Sequence, residues 1–240
     1  MSNQTSQLDA IALDSIYGLG CNAAMIRYSW SVARRHLPSG RLLEMGPAEG
    51  VMTELIATAK PQRWPELHVV DGSAVYCEGL RKRFPAAHVH YAMFEEFRPT
   101  VQFDSIVLGH VLEHVGNPVD ILKLVRGWLA PGGRIFAAVP NSRSLHRQAA
   151  VLMGLLPQED AMSELDFRHG HRRVFNPESF RNCFGQAGLM VDVFGGYWMK
   201  PVSNAQIDRD WTPAMLEAAM RLGERYPDTA AEIYVVAADR

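Results

Sequence analysis

Two groups of residues in the first half of the chain have the types and spacing suited to ligand binding and to proton transfer. The first is the segment LLEMGPAEG (42–50), in which Glu44 precedes a glycine-rich turn, followed later by Asp71. Small residues let the backbone approach a ligand, the start of a helix offers free N–H groups, and a carboxylate can accept both hydroxyl hydrogens of a ribose. The dinucleotide pattern G-x-G-x-x-G does not fit, because Ala48 and Val51 occupy its second and third glycine positions.

The second group lies in the segment GHVLEH (109–114). His110 and His114 are four residues apart, so a helical turn would place them on one face with Glu113 beside them. Imidazole accepts a proton near neutral pH, so either histidine is a candidate general base. The alternative for each is a packing role, and we favour that alternative for His114.

Short apolar segments alternating with helical ones position these groups. This alternation predicts right-handed βαβ units and a parallel sheet that binds ligands at the carboxyl edge of its strands. The predicted strands are 41–45, 67–71, 88–92, 103–109, 134–139, 189–197 and 232–237. The predicted helical stretches are 1–40, 50–60, 73–84, 118–129, part of 141–175, 176–187 and 204–226.

The composition excludes several classes of protein. The chain has 240 residues, 48% of them hydrophobic and 21% charged, which predicts one folded domain and excludes general disorder. A net charge of −2 does not favour nucleic acid as a partner. Three widely spaced cysteines, no signal peptide and no apolar run of ~18 residues predict a cytoplasmic protein without a membrane partner.

Four motifs in order resemble the class I S-adenosylmethionine (SAM) dependent methyltransferases of the small-molecule type. They are EMGPAEG (44–50), VDGS (70–73), FD through GHVLEH (103–114) and LAPGG (129–133). The resemblance implies a Rossmann-like, doubly wound α/β fold of three layers. Its sheet would have seven strands in the order 3-2-1-4-5-7-6, with the last strand antiparallel. We expect a single domain over 1–240, with an N-terminal helical cap (1–40), a SAM-binding core (41–140) and acceptor-side insertions (141–175 and 200–229).

The resemblance also implies roles for individual residues. Glu44 would reach the methionine amine, Asp71 would hold the ribose, and Gly109 would pass close to the reactive methyl group. Met93 and Phe94 would lie against the adenine ring, although ordinary core packing is their alternative. The predicted cofactor-binding residues are Glu44, Gly46, Pro47, Gly50, Asp71, Gly72, Ser73, Met93, Phe94, Glu95 and Gly109.

The expected reaction is methyl transfer from SAM, more to a hydroxyl than to an amine, on a small metabolite. The predicted catalytic residues are His110, His114 and His171. The segment His110-x-x-Glu113-His114 is similar to the E-x-x-E-H metal motif of ubiquinone-pathway O-methyltransferases and small-RNA terminal 2′-O-methyltransferases. In the RNA enzymes a later histidine completes the metal site, and His171 lies in a similar context. His110 replaces the first glutamate of that motif, which makes the site less suited to Mg²⁺ and leaves a divalent metal an open alternative.

The segment 141–175 is rich in arginine and histidine. Arg143, Arg147 and Arg172 are the predicted substrate-binding residues, because arginine forks grip anionic groups such as carboxylates or phosphates. Pairing with nearby acidic residues is the alternative. An RNA 2′-O-methyltransferase and a non-catalytic SAM-binding subunit remain rival functions, and a homodimer remains open.

Overall fold

A seven-stranded mixed sheet forms the centre of the computed structural model, which describes residues 8–9, 18–59 and 62–239. The strand order is β3-β2-β1-β4-β5-β7-β6, and β7 runs antiparallel to both of its neighbours. The predicted fold class is therefore confirmed. The strands are β1 Arg41–Met45, β2 Glu66–Asp71, β3 His88–Tyr91, β4 Phe103–Gly109, β5 Leu129–Pro140, β6 Leu189–Tyr197 and β7 Glu232–Asp239.

Helices cover both faces of this sheet. They are α1 Gly20–Ala33, α2 Val51–Thr58, α3 Ala74–Arg83, α4 Pro118–Trp128, α5 Leu145–Leu152, α6 Glu164–Arg168, α7 Pro177–Gln186, α8 Asn204–Asp210 and α9 Pro213–Gly223. In the described part of the chain, none of these helices is both long and apolar enough to cross a membrane. The helical prediction for 1–40 falls partly on residues 1–7 and 10–17, and that for 50–60 ends at residue 60; these positions lie outside the described residues.

Two hydrophobic layers separate the helices from the sheet. One layer contains Leu122 of α4 and Phe180 of α7, packed on one face of the strands. The other contains Trp30 of α1, Ile56 of α2 and Met220 of α9, packed on the opposite face. Burial on both faces requires the nearly continuous apolar strands that the sequence contains.

The prediction of one helix over 204–226 is wrong. Trp211 and Thr212 separate α8 from α9, and the Thr212 side chain caps α9 by accepting a hydrogen bond from the Met215 N–H. Pro213 is the first residue of α9, where its missing N–H costs nothing, whereas inside a continuous helix it would clash with the preceding turn.

Candidate active site

The turn between β1 and α2 is built for close approach of a ligand. Gly46 and Gly50 have φ angles of +64° and +77°, in the left-handed region that favours glycine. A Cβ atom on Gly46 would lie 3.0 Å from the Val111 side chain. Ala48 also has a positive φ, +48°, and Pro47 accepts the Gly50 N–H through its carbonyl oxygen at 2.8 Å. The backbone therefore leaves the start of α2 open to a bound group.

Glu44 lies buried at the end of β1, below this turn. The hydroxyl of Thr53 donates a hydrogen bond of 2.7 Å to its Oε2 atom. Burial raises the pKa of Glu44 to about 8, and the nearby Asp71 carboxylate adds to the shift against the opposing Thr53 hydrogen bond. This carboxyl is placed to receive a cation or a hydrogen-bond donor from a ligand.

Asp71 ends the neighbouring strand β2 and faces the same edge of the sheet. The N–H groups of Ser73 and Ala48 donate hydrogen bonds to its carboxylate, yet burial still raises its pKa to about 6. The Ser73 side chain caps α3 and donates a hydrogen bond of 2.6 Å to Asp9. Asp9 is a member of this edge that sequence reasoning missed, since no motif marks it.

The side chains after β3 close the same edge. Met93 lies beside Gly72, because a Cβ atom at Gly72 would meet the Met93 sulfur at 2.8 Å, and Phe94 lies 3.6 Å from the equivalent position at Gly46. Both side chains are half-buried, whereas Glu95 is exposed. The structure thus brings the predicted cofactor residues of three strands together, while their roles in binding stay predictions.

The backbone turns sharply after β4. His110 has a φ of +59°, which is strained for a residue with a side chain, and its N–H donates to the Ala138 carbonyl oxygen at 2.9 Å. Residues 110–116 form turns rather than a helix, so the expected shared helical face of His110 and His114 is wrong. The two rings instead flank Glu113, whose Oε1 lies 3.3 Å from His110 Nδ1 and 4.0 Å from His114 Nε2.

A second buried carboxylate faces His110 from β7. Glu232 Oε2 lies 3.8 Å from His110 Nε2, and neither atom has a hydrogen-bond partner among the described residues. Burial opposes protonation of His110, but Glu232 and Glu113 outweigh it and raise the pKa of His110 to about 8. Burial raises the pKa of Glu232, against the pull of His110 and Lys200. These groups form a buried cluster of titratable side chains directly after Gly109.

His171 joins the cluster from the insertion that follows β5. Its ring lies edge-on to the ring of His114, with centroids 4.8 Å apart, and its Nδ1 is 3.0 Å from Asp166 Oδ1. Glu113, His114 and His171 each place one donor atom within 4.8 Å of the others. Both oxygens of Glu113 are buried without a hydrogen-bond partner in the described part of the chain, so this trio fits a small cation.

The three predicted substrate arginines lie in different surroundings. Arg143 is paired with the exposed Glu178 at 2.8 Å. Arg147 is buried and donates to the Glu159 carbonyl at 2.7 Å and to Asp166 at 3.3 Å, so it holds the insertion together. Arg172 is exposed, and its backbone N–H donates to the Glu113 carbonyl at 2.8 Å.

Sequence reasoning missed Glu232, whereas Lys200 begins the acceptor-side insertion 200–229 that the sequence predicted. Glu232 begins an apolar strand, where an acidic residue is usually a solvated strand end. Lys200 follows β6, and its Nζ lies 4.9 Å from the centre of the Trp198 ring. Burial lowers the pKa of Lys200, against the effect of Glu232. Only the pairing of Glu232 with Pro140 and Tyr197 in the sheet brings it to the site.

Comparison with known proteins identifies the family. A family model described as a methyltransferase domain matches residues 26–192, and the chain belongs to this family. The crystal structure of the N-methyltransferase NodS from Bradyrhizobium japonicum WM9 with S-adenosylhomocysteine has the same fold, with a TM-score of 0.64 at 12% identity over 99% of both chains. The protein is therefore a class I SAM-dependent methyltransferase.

Two curated relatives come from bacteria. The ubiquinone biosynthesis O-methyltransferase of Burkholderia pseudomallei (strain 1710b) is 25% identical over 194 residues, covering 71% of this chain and 73% of that protein. The trans-aconitate 2-methyltransferase of Methylobacterium radiotolerans is 26% identical over 188 residues, covering 76% of this chain and 71% of that protein.

The residues present fit SAM as the cofactor. A Cβ atom at Gly46 would crowd Val111 and contact Phe94, so a side chain there would fill the space between the turn and these residues. Among the described residues, no cation pairs with the buried carboxylates of Glu44 and Asp71, which suit the ammonium and ribose hydroxyls of SAM.

Proposed function

We propose that this enzyme transfers the methyl group of SAM to a hydroxyl oxygen of a small-molecule acceptor. The observation that carries this proposal is the buried cluster of His110, Glu113 and Glu232 directly after Gly109. An amine loses its proton easily, whereas a hydroxyl needs a base or a metal ion to become a good nucleophile. A proton acceptor at this position is therefore better explained by a hydroxyl acceptor than by an amine.

SAM, when bound, supplies an electrophilic methyl group on a sulfonium. In the proposed reaction Glu44 would hold the ammonium group and Asp71 the ribose hydroxyls of the cofactor, and the backbone at Gly109 would pass close to the reacting methyl group. His110 would take the hydroxyl proton on Nε2 in its neutral form, whose fraction grows as the pH rises through the His110 pKa of about 8. Glu113 and Glu232 then stabilise the imidazolium that results, since their oxygens lie on opposite sides of the ring.

Metal assistance is the alternative route to the same product. Glu113, His114 and His171 would hold a divalent cation, and Asp166 would orient His171 through its other ring nitrogen. Such an ion would lower the pKa of a hydroxyl bound to it. Two imidazoles and one carboxylate favour a zinc-like ion over Mg²⁺.

Several observations support a small acceptor. The insertion carrying Asp166 and His171 lies beside Glu113, and both curated relatives bear the names of small-molecule methyltransferases. Lys200 and the exposed Arg172 are the cations that we propose to favour an anionic acceptor. The net charge of −2 and the pairing of Arg143 and Arg147 with acidic groups speak against RNA.

The test is a screen of the purified enzyme with SAM against matched phenols, sugars, hydroxy acids, amines and short RNAs. Formation of S-adenosylhomocysteine and the mass of the product are measured. We expect turnover of hydroxyl acceptors and a loss of roughly 10²–10⁴-fold in kcat for His110→Gln. His36→Gln, a histidine outside the cluster, is the control.

Conversion of amines alone would refute the proposed acceptor atom, and RNA as the preferred substrate would refute its small size. A chelator separates the two routes. If the chelator abolishes activity and Zn²⁺ restores it, the metal rather than His110 activates the hydroxyl. Unchanged activity in the presence of the chelator supports His110 as the base.

A further inference from the structure

A group of histidines lies at the outer edge of the sheet, away from the active site. Strands β2 and β3 are parallel, with His68 opposite His88 and Val70 opposite His90. Because side chains alternate along a strand, Glu66, His68, His88 and His90 share one face of the sheet. None of these residues takes part in the methyltransferase site described above.

His68 is the centre of this edge cluster, which comprises Arg41, Glu66, His68, His88 and His90. Its Nε2 lies 2.8 Å from Glu66 Oε1, and its Nδ1 lies 3.0 Å from His90 Nε2. Its ring stacks on the ring of His88, with centroids 4.4 Å apart. Arg41 holds the second oxygen of Glu66 at 2.8 Å.

We propose that Glu66, His68 and His88 bind a divalent transition-metal ion of the zinc type. One donor atom from each residue lies within 4.8 Å of the other two. The ion would bind Nε2 of the neutral His68, between that ring and Glu66, and the ring proton of His68 would then lie on Nδ1 and be donated to His90 Nε2. His88 is exposed, so its side chain is free to turn toward the ion, and water completes the coordination.

The surroundings of the three ligands match those of known metal sites. Metal-binding histidines usually have their second nitrogen held by another group, and His90 does this for His68 while Arg41 orients Glu66. Two imidazole nitrogens and one carboxylate oxygen favour Zn²⁺, Co²⁺ or Ni²⁺ over Mg²⁺ or Ca²⁺. His68 is buried, so one ligand is shielded from water, and the exposed His88 provides the entry route.

An ion here would tie the edge of the sheet together. Strand β3 has four residues and pairs only with β2 in the described sheet. Asp71 ends β2, and Met93 and Phe94 follow β3. The metal would thus hold in place the two strands that present the cofactor-binding edge, without touching the cofactor.

The experiment is a titration of chelator-treated protein with Co²⁺ and Zn²⁺ alone, followed by calorimetry and by the visible absorbance of bound Co²⁺. His88→Gln and Glu66→Gln test the edge cluster. His171→Gln removes a ligand of the trio at the active site, and His36→Gln is the control. Thermal melts with and without Zn²⁺ confirm that each variant folds.

We expect the wild type, His36→Gln and His171→Gln to bind the ion at the edge cluster and to gain thermal stability with Zn²⁺. His88→Gln and Glu66→Gln should lose one equivalent, or bind it roughly tenfold more weakly or worse. Wild-type stoichiometry and affinity in both edge variants, or no binding by the wild type, would overturn the proposal. Loss confined to His171→Gln would also overturn it, because the ion would then lie at the active site.

Discussion

Buried carboxylates are the residues that distinguish this site. Glu44, Asp71 and Glu232 are each less than a tenth exposed, and burial raises the pKa of all three. Such groups cost stability unless a ligand pairs with them, so they indicate function more than fold. They come from strands β1, β2 and β7, and only the assembled sheet brings them to one region.

The cofactor affinity should depend on the ionisation of Asp71. Its pKa of about 6 means that the carboxylate is protonated as the pH falls through that value, and the protonated form cannot accept both ribose hydroxyls. We therefore expect the affinity for S-adenosylhomocysteine, measured by calorimetry, to decrease as the pH falls through about 6. Asp71→Asn should bind ~1.5–3 kcal/mol more weakly at neutral pH. A variant with wild-type affinity would remove Asp71 from the ribose site.

Glu44 should lower the stability of the ligand-free enzyme at alkaline pH. Its folded pKa of about 8 lies above its ordinary value of 4.5, so the folded chain holds this proton more tightly than the unfolded chain. The stability that this proton provides is complete below the ordinary value and is lost as the pH rises through about 8.

The variant Glu44→Gln tests this expectation, because the amide oxygen still accepts the Thr53 hydrogen bond. At pH values above the Glu44 pKa of about 8, the melting temperature of Glu44→Gln should exceed that of the wild type by roughly 2–10 °C. This is the shift expected when a buried charge that costs ~1–3 kcal/mol is removed. Glu217→Gln, at an exposed position, is the control. Binding of S-adenosylhomocysteine should be weakened at the same time. Equal melting of the wild type and Glu44→Gln would contradict the expectation.

At the scale of elements, we expect cofactor binding to depend more on the glycine turn before α2 than on the helix α2 that follows it. Gly46→Ala should weaken cofactor binding and destabilise the fold by ~1 kcal/mol, because Gly46 has a positive φ and its Cβ atom would press on Val111. Gly79→Ala is the matched control within α3. No described atom lies within 4 Å of its Cβ position, so alanine should stabilise the helix by ~0.5–1 kcal/mol. Denaturant unfolding and calorimetry measure both effects.

If Gly46→Ala were more stable than Gly79→Ala, the turn would tolerate a side chain at residue 46. Ala48 makes the comparison informative, since it already has a side chain at a positive φ of +48° within the same turn. The difference between Ala48 and Gly46 is the crowding by Val111 at Gly46.

At the scale of the whole molecule, Arg173 links the insertion to the turn that carries Glu113. Its guanidinium donates to the carbonyl oxygens of Leu112, Val115 and Gly116, at 3.1, 2.6 and 2.9 Å. Arg173→Met would leave these acceptors without their donor. We expect stability to fall by about 1–3 kcal/mol and kcat to fall roughly tenfold to a hundredfold.

The affinity for S-adenosylhomocysteine should stay unchanged in Arg173→Met, since Glu44 and Asp71 lie on other strands. Arg168→Met, at an exposed position of the insertion, should behave as the wild type in both measurements. A parallel loss of kcat and of cofactor affinity would show that the variant perturbs the whole sheet rather than the turn.

The sequence by itself determined the α/β fold class, and it predicted which edge of the sheet binds the cofactor. The strands, the glycine turn at Gly46 and the carboxylates Glu44 and Asp71 follow from local patterns, because hydrophobic alternation and turn geometry act over a few residues. Hydrophobic pattern alone could not find the break before Pro213, since apolar spacing continues on both sides of it.

Only the tertiary structure decided which side chains meet at the reacting end. β7 brings Glu232 to His110, the insertion brings His171 to His114, and Lys200 after β6 acts on the Glu232 carboxylate, although these residues lie far apart along the chain. The structure likewise paired Arg147 with Asp166 and gathered His68, His88 and His90 on one edge. Long-range contacts of this kind depend on strand order and register, which no short segment of sequence encodes.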